Sequence, residues 1–411
     1  MTWRESFGVL RAPEFGWFFW SRVVNMAGGV MAPIALAFAV LDIDHSASAL
    51  GQVLAARSIP LVVFLLVGGV IADRFSRTAV LQWSNLLSAV TQGAAATLVI
   101  SGQAELWHLI VLEAINGTVN AASFPAMQGL IPQLVPRERL KEANLLLSMS
   151  RSVLAIAGPS VAAVLVVTVG PGWALAVDAS TWALAALFLL RVRLPAAGPR
   201  EPSAGMIAEL REGWTFFRGT QWLWVVVLAF GVLNAIQTGA LSTLAPALAK
   251  ETFGVKGYGY AVSAEAVGML LMSLVLLRTN LKRPLFVGML TATALALPML
   301  VLGAHPAVVP FCLTMALAGA GIEVFGLAWT LAMMEHVDER MQSRAWSYDS
   351  LGSFVAIPAG QLLYGPLGDW LGFREVLLAS GAAYVVVALL ALLSRDVRTL
   401  GRVSTTSQPA S

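Results

Sequence analysis

Long runs of apolar residues alternate with short polar segments over most of the chain, from about residue 16 to residue 394. Most runs are near 20 residues or longer, the length of an α-helix that crosses the ~30 Å hydrocarbon core of a bilayer. The pattern predicts an all-α integral membrane protein, with spans nine and ten the least distinct from each other. The twelve predicted spans are residues 16–41, 48–72, 79–101, 105–130, 142–169, 172–193, 221–249, 257–278, 284–303, 306–335, 344–366 and 373–394.

Composition and charge also favour a protein whose surface faces mainly lipid. Of 411 residues, 58% are hydrophobic and 12% are charged, whereas soluble domains hold about 25% charged residues. If the N-terminus is cytoplasmic, only Lys250, Lys256 and Arg374 of the 26 basic residues fall in outer loops, and three more lie within spans. The positive-inside rule therefore predicts a multi-pass protein of the cell membrane with both termini in the cytoplasm.

The longest polar segment follows the sixth span, at residues 194–220, and ends in an amphipathic piece from Met206 to Phe217. We interpret this segment as a cytoplasmic linker with a helix on the membrane surface. It would join an N-terminal half, residues 1–193, to a C-terminal half, residues 221–411.

An offset of 202 residues relates the two halves. It aligns Gly117 with Gly319 and Gly158 with Gly360 at matching positions of the predicted topology. Such an offset predicts two parallel six-helix repeats, with a binding site near the membrane midplane.

A short charged turn, residues 69–77, separates the second span from the third. Its Gly-x-x-x-Asp-Arg pattern resembles the signature loop of the major facilitator superfamily, although Ser76 replaces a usual glycine and Thr78 a usual basic residue. In that superfamily the loop acts as a conformational latch on the start of the eleventh helix; an ordinary basic inner loop is the alternative. The resemblance implies a latch made of Gly69, Asp73, Arg74, Arg77, Arg344 and Asp349.

The resemblance extends to other segments. Residues 41–51, 134–140 and 347–353 are similar to one exporter branch, which includes enterobactin-type siderophore exporters and macrolide or multidrug efflux pumps. Gly158-Pro159 in the fifth span resembles a motif associated with exchange of substrate against protons, with an ordinary proline kink as the alternative. Many relatives carry an acidic residue in the first helix, where this chain has Gly29.

Charged residues within the spans bear on the mechanism, because each costs at least ~2.5–3.5 kcal/mol at the bilayer centre and should face a cavity or a partner. Depth along the spans places Arg57, Glu113, Asp178 and Glu265 in one layer, with Glu323 nearer the midplane. We regard Arg57, Asp178 and Glu265 as candidates for an intramembrane ion pair, a role that the resemblance favours for Arg57 and Asp178.

Glu323 and Glu113 are the candidates for proton coupling, because the resemblance implies that helices one, four, seven and ten line a central cavity. A carboxylate in a partly dry cavity favours its neutral form and can bind and release a proton as the cavity changes side. Binding of a cationic substrate or a structural pair are the alternatives. Amides and aromatic residues in this lining suit an amphipathic organic molecule, with plain packing as the alternative for the aromatic residues. The candidate cavity residues are Asn25, Asn116, Asn120, Asn234, Gln237, Phe325 and Trp329.

These features together predict proton-coupled efflux of an amphipathic drug, siderophore or natural product by alternating access. An importer or uniporter of the same fold, or a non-transporting membrane sensor or assembly protein, are the alternatives. The sequence holds no phosphate-binding loop, no metal-ligand spacing and no hydrolase motif. We therefore expect protons as the coupling ion without a further cofactor, no ATP, metal or nucleic acid, no enzymatic activity, and a monomer.

Overall fold

The computed structural model describes residues 7–74, 76–192, 206–279 and 281–401, and every regular element within these ranges is helical. Six long helices precede the linker, and their bounds follow the predicted spans closely. They are α1 Pro13–Ile43, α2 Ala47–Arg74, α3 Arg77–Ile100, α4 Leu106–Leu134, α5 Leu140–Val169 and α6 Pro171–Leu189.

The linker contributes an amphipathic helix, α7 Met206–Gly219, at the place where the sequence predicts one. The helices that follow are α8 Gln221–Glu251, α9 Gly254–Leu276, α10 Pro284–Ala304, α11 Val308–His336, α12 Glu339–Phe354, α13 Ile357–Leu371, α14 Phe373–Ala391 and the short α15 Arg395–Thr399.

Helices α12 and α13 together correspond to the predicted eleventh span, so helices cover most of the described residues of every predicted span. Nine helices among the described residues are long and apolar enough to cross a membrane. The boundary between the predicted spans nine and ten, the least distinct in the sequence, separates two helices in the structure: α10 ends at Ala304 and α11 begins at Val308.

The offset between the halves is visible in the local backbone. Gly170 and Gly372, 202 residues apart, both have a φ of +94° and both precede a spanning helix. A β-carbon at Gly117 would overlap the main-chain carbonyl of Arg57, and one at Gly319 would overlap that of Glu265. Glycine at these two equivalent places therefore lets α4 pack closely on α2, and α11 on α9.

The chain forms two compact units. The first comprises Met1–Arg200 with Pro246–Ser263, and the second comprises Glu201–Ala245 with Ala264–Ser411. In the first unit α2 packs on α4, and α6 packs on both α1 and α3. In the second unit α10 packs on α11 and α14, and α8 packs on α12.

Helix α8 contains a wider turn in its middle. Residues Thr238–Leu244 form a π-helix, and Gly239 at this point faces the ring of Tyr364 on α13, where a β-carbon would overlap the ring. Such widened turns are rare and occur frequently at functional sites. Gln237, one of the candidate cavity residues, is half-buried directly before this segment.

Candidate functional site

A buried layer of charged and polar side chains joins α2, α3 and α4 in the first unit. Arg57 Nη1 lies 3.7 Å from Glu113 Oε2, and Gln92 Nε2 donates a hydrogen bond of 2.8 Å to Glu113 Oε1. Glu113 is 1% exposed, whereas the side chain of Arg57 is 34% exposed. Glu113, which the sequence marks as a coupling candidate, is thus the ion-pair partner of Arg57 in this structure.

Gly117 explains how this pair is assembled. Because the position has no side chain, the backbone of α4 can approach the carbonyl of Arg57 on α2. Glu113 precedes Gly117 by one helical turn, on the same face of α4. The close approach of the two helices therefore brings the carboxylate within reach of the guanidinium.

Asp178 on α6 is as deeply buried as Glu113, at 1% exposure. Its carboxylate accepts a side-chain hydrogen bond from Trp182 but forms no ion pair with a described residue. Its Oδ1 atom has no hydrogen bond with any described residue. The neighbouring Thr181 hydroxyl donates to the main-chain carbonyl of Asp178 at 2.7 Å, and not to the carboxylate. Arg57 and Glu113 both act on Asp178 through space.

Helix α1 meets this carboxylate at Gly28. A β-carbon at Gly28 would overlap Asp178 Oδ1 and Thr181 Oγ1, so glycine is required for α1 to pack against α6 at this level. Gly29, where relatives carry an acidic residue, faces open space and is exposed. The sequence indicated a departure from the relatives at Gly29, but not that Asp178 lies against Gly28.

The candidate cavity amides of the first unit have hydrogen-bond partners. Asn116 is 1% exposed, and its side-chain oxygen accepts bonds from Ser88 at 3.1 Å and from Asn120 at 2.7 Å. Arg22 donates to Asn25 Oδ1 at 2.8 Å, while Asn25 Nδ2 lacks a partner among the described residues. Asn116 therefore ties α3 to α4, and Asn25 retains a free donor.

The predicted kink at Gly158-Pro159 lies inside α5, where Pro159 removes one donor of the helix backbone. The next residue, Ser160, uses its main-chain N–H to bond Ser263 Oγ at 3.2 Å, and the two hydroxyls are 2.7 Å apart. Gly259 on α9 permits this contact, because a β-carbon there would overlap the carbonyl of Pro159. Nothing in the sequence indicated Ser263 as a partner of the kink.

A second contact of the segment Pro246–Ser263 lies at the C-terminal end of α1. Lys250 Nζ donates to Asp42 Oδ1 at 2.6 Å and to the main-chain carbonyl of Leu41 at 2.7 Å. A cation at a helix C-terminus satisfies carbonyls that have no partner within the helix. Phe38 and Tyr258 meet edge to face nearby, with ring centroids 6.1 Å apart.

In the second unit, the predicted aromatic residues form a packed column. The rings of Phe230 and Phe325 are stacked at 3.9 Å, and Phe325 stacks in turn near Trp329 at 6.1 Å. Phe325 is 7% exposed and Trp329 is 6% exposed, and Asn234 Nδ2 donates to the carbonyl of Ser353 at 2.9 Å. These contacts are typical of packed side chains, and a role in substrate binding stays a prediction.

Two acidic residues of the second unit have no ionic partner among the described residues. Glu323 on α11 is half-buried and forms no hydrogen bond or ion pair with a residue that the structure describes. Glu265 on α9 is also half-buried and acts electrostatically on Tyr384, whose hydroxyl is buried and without a hydrogen-bond partner. Glu323 therefore retains the free carboxylate that its role as a coupling candidate requires.

The predicted latch is described only in part, because the side chains of Gly69, Asp73 and Arg74 lie outside the described residues. Arg344 on α12 forms an ion pair of 2.6 Å with Glu212 of the linker helix α7. Asp349 accepts hydrogen bonds of 3.2 Å from Trp329 and Ser353 instead of pairing with Arg344. The remaining latch residue, Arg77, is the first residue of α3.

Comparison with known proteins extends these observations to the whole chain. The family described as "Transmembrane secretion effector" matches residues 4–408. Macrolide efflux protein A of Streptococcus pyogenes is 22% identical over 386 residues, which cover 92% of this chain and 95% of that protein. The multidrug efflux pump Tap of Mycolicibacterium fortuitum is 24% identical over 383 residues, covering 89% and 92%.

A solved structure supports the fold at a lower level of sequence similarity. A POT family transporter in complex with a thioalcohol-conjugated peptide has a TM-score of 0.75 at 15% identity, with 94% of this chain and 96% of that chain covered. This likeness shows the major facilitator fold.

Proposed function

We propose that this chain, which belongs to the major facilitator family of transmembrane secretion effectors, exports an amphipathic small molecule in exchange for protons. The chain is a multi-pass membrane transporter and not an enzyme. The observation that carries the proposal of efflux is the likeness, over about nine-tenths of the chain, to a macrolide efflux protein and a multidrug efflux pump.

Protons are proposed as the coupling ion because the spans hold buried carboxylates whose charge is expensive in a membrane. Glu113 is engaged by Arg57 and Gln92, which suits a fixed counter-charge better than a group that changes its protonation. Glu323 has no such engagement, and we propose it as a coupling residue of the second unit. The cytoplasmic position of both termini rests on the distribution of basic residues.

The proposal of an amphipathic substrate rests on the mixture of amides and aromatic residues that the predicted lining offers. A free donor remains at Asn25, and Gln237 lies next to the widened turn of α8. We propose that polar groups of this kind orient a largely apolar molecule.

Proton movement in inside-out vesicles tests this function. Vesicles with the purified transporter are energised to an acid interior and given erythromycin or ethidium as probes. Export in exchange for protons should raise the internal pH on addition of the probe, and Glu323→Gln should abolish the response. The matched control is Glu251→Gln, which changes an exposed glutamate in the same way and should leave the response intact. Accumulation of either probe without proton movement would contradict antiport.

A further inference from the structure

Among the described residues of the first unit, Asp178 is a fully buried carboxylate with a hydrogen bond from Trp182 but no ion pair, and the mechanism described so far gives it no role. We propose that Asp178 is the proton-binding residue of the first unit and that its protonation governs the packing of α1 on α6. This inference rests on the proposed exchange of substrate against protons. It departs from the assignment of Asp178 to a structural pair with Arg57, because Arg57 lies against Glu113.

The charges of the layer support a proton on Asp178. The layer contains one guanidinium, Arg57, and two buried carboxylates, Glu113 and Asp178. The pair of Arg57 and Glu113 is neutral by itself, so an ionised Asp178 leaves one uncompensated negative charge. Burial of an unpaired ion is so expensive that such groups neutralise instead. One proton on Asp178 makes the layer neutral.

Among the described residues, the helices packed against α6 are α1, α3 and α5; they offer no other counter-charge, and α3 has no charged residue between residues 78 and 100. The charged residues of α1 and α5 within the spans are Arg22 and Arg151, which repel each other, and neither is among the charges that act on Asp178. Thr181 is committed to a main-chain carbonyl, and Gly28 contributes only backbone. The ionisable groups that face Asp178 are therefore Arg57 and Glu113, which already form a pair.

Gly28 connects the protonation state to helix packing. With no side chain between them, Asp178 Oδ1 lies directly against the backbone of α1. A neutral carboxyl group can remain in this dry contact, whereas a carboxylate requires water or a cation. Uptake of one proton from the acidic side forms the O–H bond and favours the closed contact. Its release to water on the other side leaves the carboxylate and favours separation of α1 from α6.

Infrared difference spectroscopy of the purified transporter in lipid nanodiscs tests the proposal directly. Protonated carboxyl groups have a C=O stretching band separate from that of carboxylates. Beside the band of the proposed coupling residue Glu323, a pH step should reveal a second titrating band. We expect this band to be absent in Asp178→Asn and retained in Asp396→Asn, which changes an exposed aspartate of α15. Retention of the full band in folded Asp178→Asn would overturn the proposal.

A measurement without a mutation covers the case in which Asp178→Asn fails to fold. Wild-type protein labelled with ¹³C-aspartate should show this second band at a shifted frequency. If no titrating band shifts, the proton lies on a glutamate and the proposal is overturned. The two proposals fail separately. Loss of the band in Asp178→Asn, with no probe-dependent proton movement in the wild type, contradicts antiport and leaves proton binding at Asp178 established.

Discussion

Removal of either charge of the buried pair should destabilise the first unit more than removal of both. In Glu113→Gln the bond from Gln92 is retained and only the charge is lost, which leaves Arg57 unpaired. In Arg57→Met the carboxylate of Glu113, 1% exposed, is left without its cation. The double variant buries no charge at this place. Breaking a buried pair on one side is strongly destabilising, whereas replacing both partners is often close to neutral.

The distance between the two groups sets the expected size of the effect. Two unit charges 3.7 Å apart attract each other by roughly 4.5 kcal/mol at an effective dielectric constant of about 20. Because the side chain of Arg57 is 34% exposed, water screens part of this attraction. We therefore expect a coupling free energy of about 2 kcal/mol between the two substitutions, within the range for residues in contact.

Unfolding in mixed micelles, with increasing fractions of a denaturing detergent, measures the free energy of each variant. The double variant should be more stable than the sum of the single effects predicts. Glu113→Gln combined with Arg151→Met serves as the control cycle, since the partners of Glu113 among the described residues are Arg57 and Gln92. Additive effects of Arg57→Met and Glu113→Gln, within about 0.5 kcal/mol, would refute the pair as a stabilising unit.

Three further substitutions test individual contacts by thermal unfolding. Gly117→Ala should destabilise the protein by about 1–3 kcal/mol or more, because the added β-carbon overlaps a backbone carbonyl. The control Gly29→Ala should be neutral or stabilising by up to about 1 kcal/mol, because that position faces open space. Equal unfolding midpoints of the two variants would contradict the close approach of α4 to α2. Ser263→Ala should cost about 1 kcal/mol through its two bonds to Ser160, and an unchanged midpoint would argue against that contact. Lys250→Met should cost at most about 1 kcal/mol and only at low salt, so an equal loss in concentrated salt would exclude an ionic origin.

The helices could be predicted from the sequence because a bilayer imposes one length on every span. That requirement leaves a mark in one dimension, as apolar runs of about 20 residues between charged turns. The least distinct boundary, after Ala304, could be predicted as well, because a short segment with His305 interrupts the apolar run there. The relation between the halves could also be predicted from glycines 202 residues apart, because Gly170 and Gly372 both adopt a positive φ of +94° that favours glycine.

The pairing of charges could not be predicted in the same way. Depth along each helix placed Arg57, Glu113 and Asp178 in one layer, but depth says nothing about rotation around the helix axis. Rotation decides which carboxylate faces the guanidinium, and here it is set by the close contact at Gly117. The partner of Asp178 on α1 depends likewise on the missing side chain of Gly28, which only a three-dimensional arrangement can show.

Within a membrane protein, polar residues therefore say more about their surroundings than apolar residues do. An aromatic residue such as Phe325 suits lipid, a packed interior or a substrate cavity equally well, so its chemistry alone does not identify its place. A polar group must find a partner or water, because neither lipid nor an apolar core supplies one. Most buried polar groups of the first unit that we predicted have a partner, as Asn116 and Glu113 do. Asp178 Oδ1 does not, although Trp182 forms a hydrogen bond with the same carboxylate. Because this buried carboxylate has no cation of its own beside a neutral pair, a transported proton would neutralise its charge.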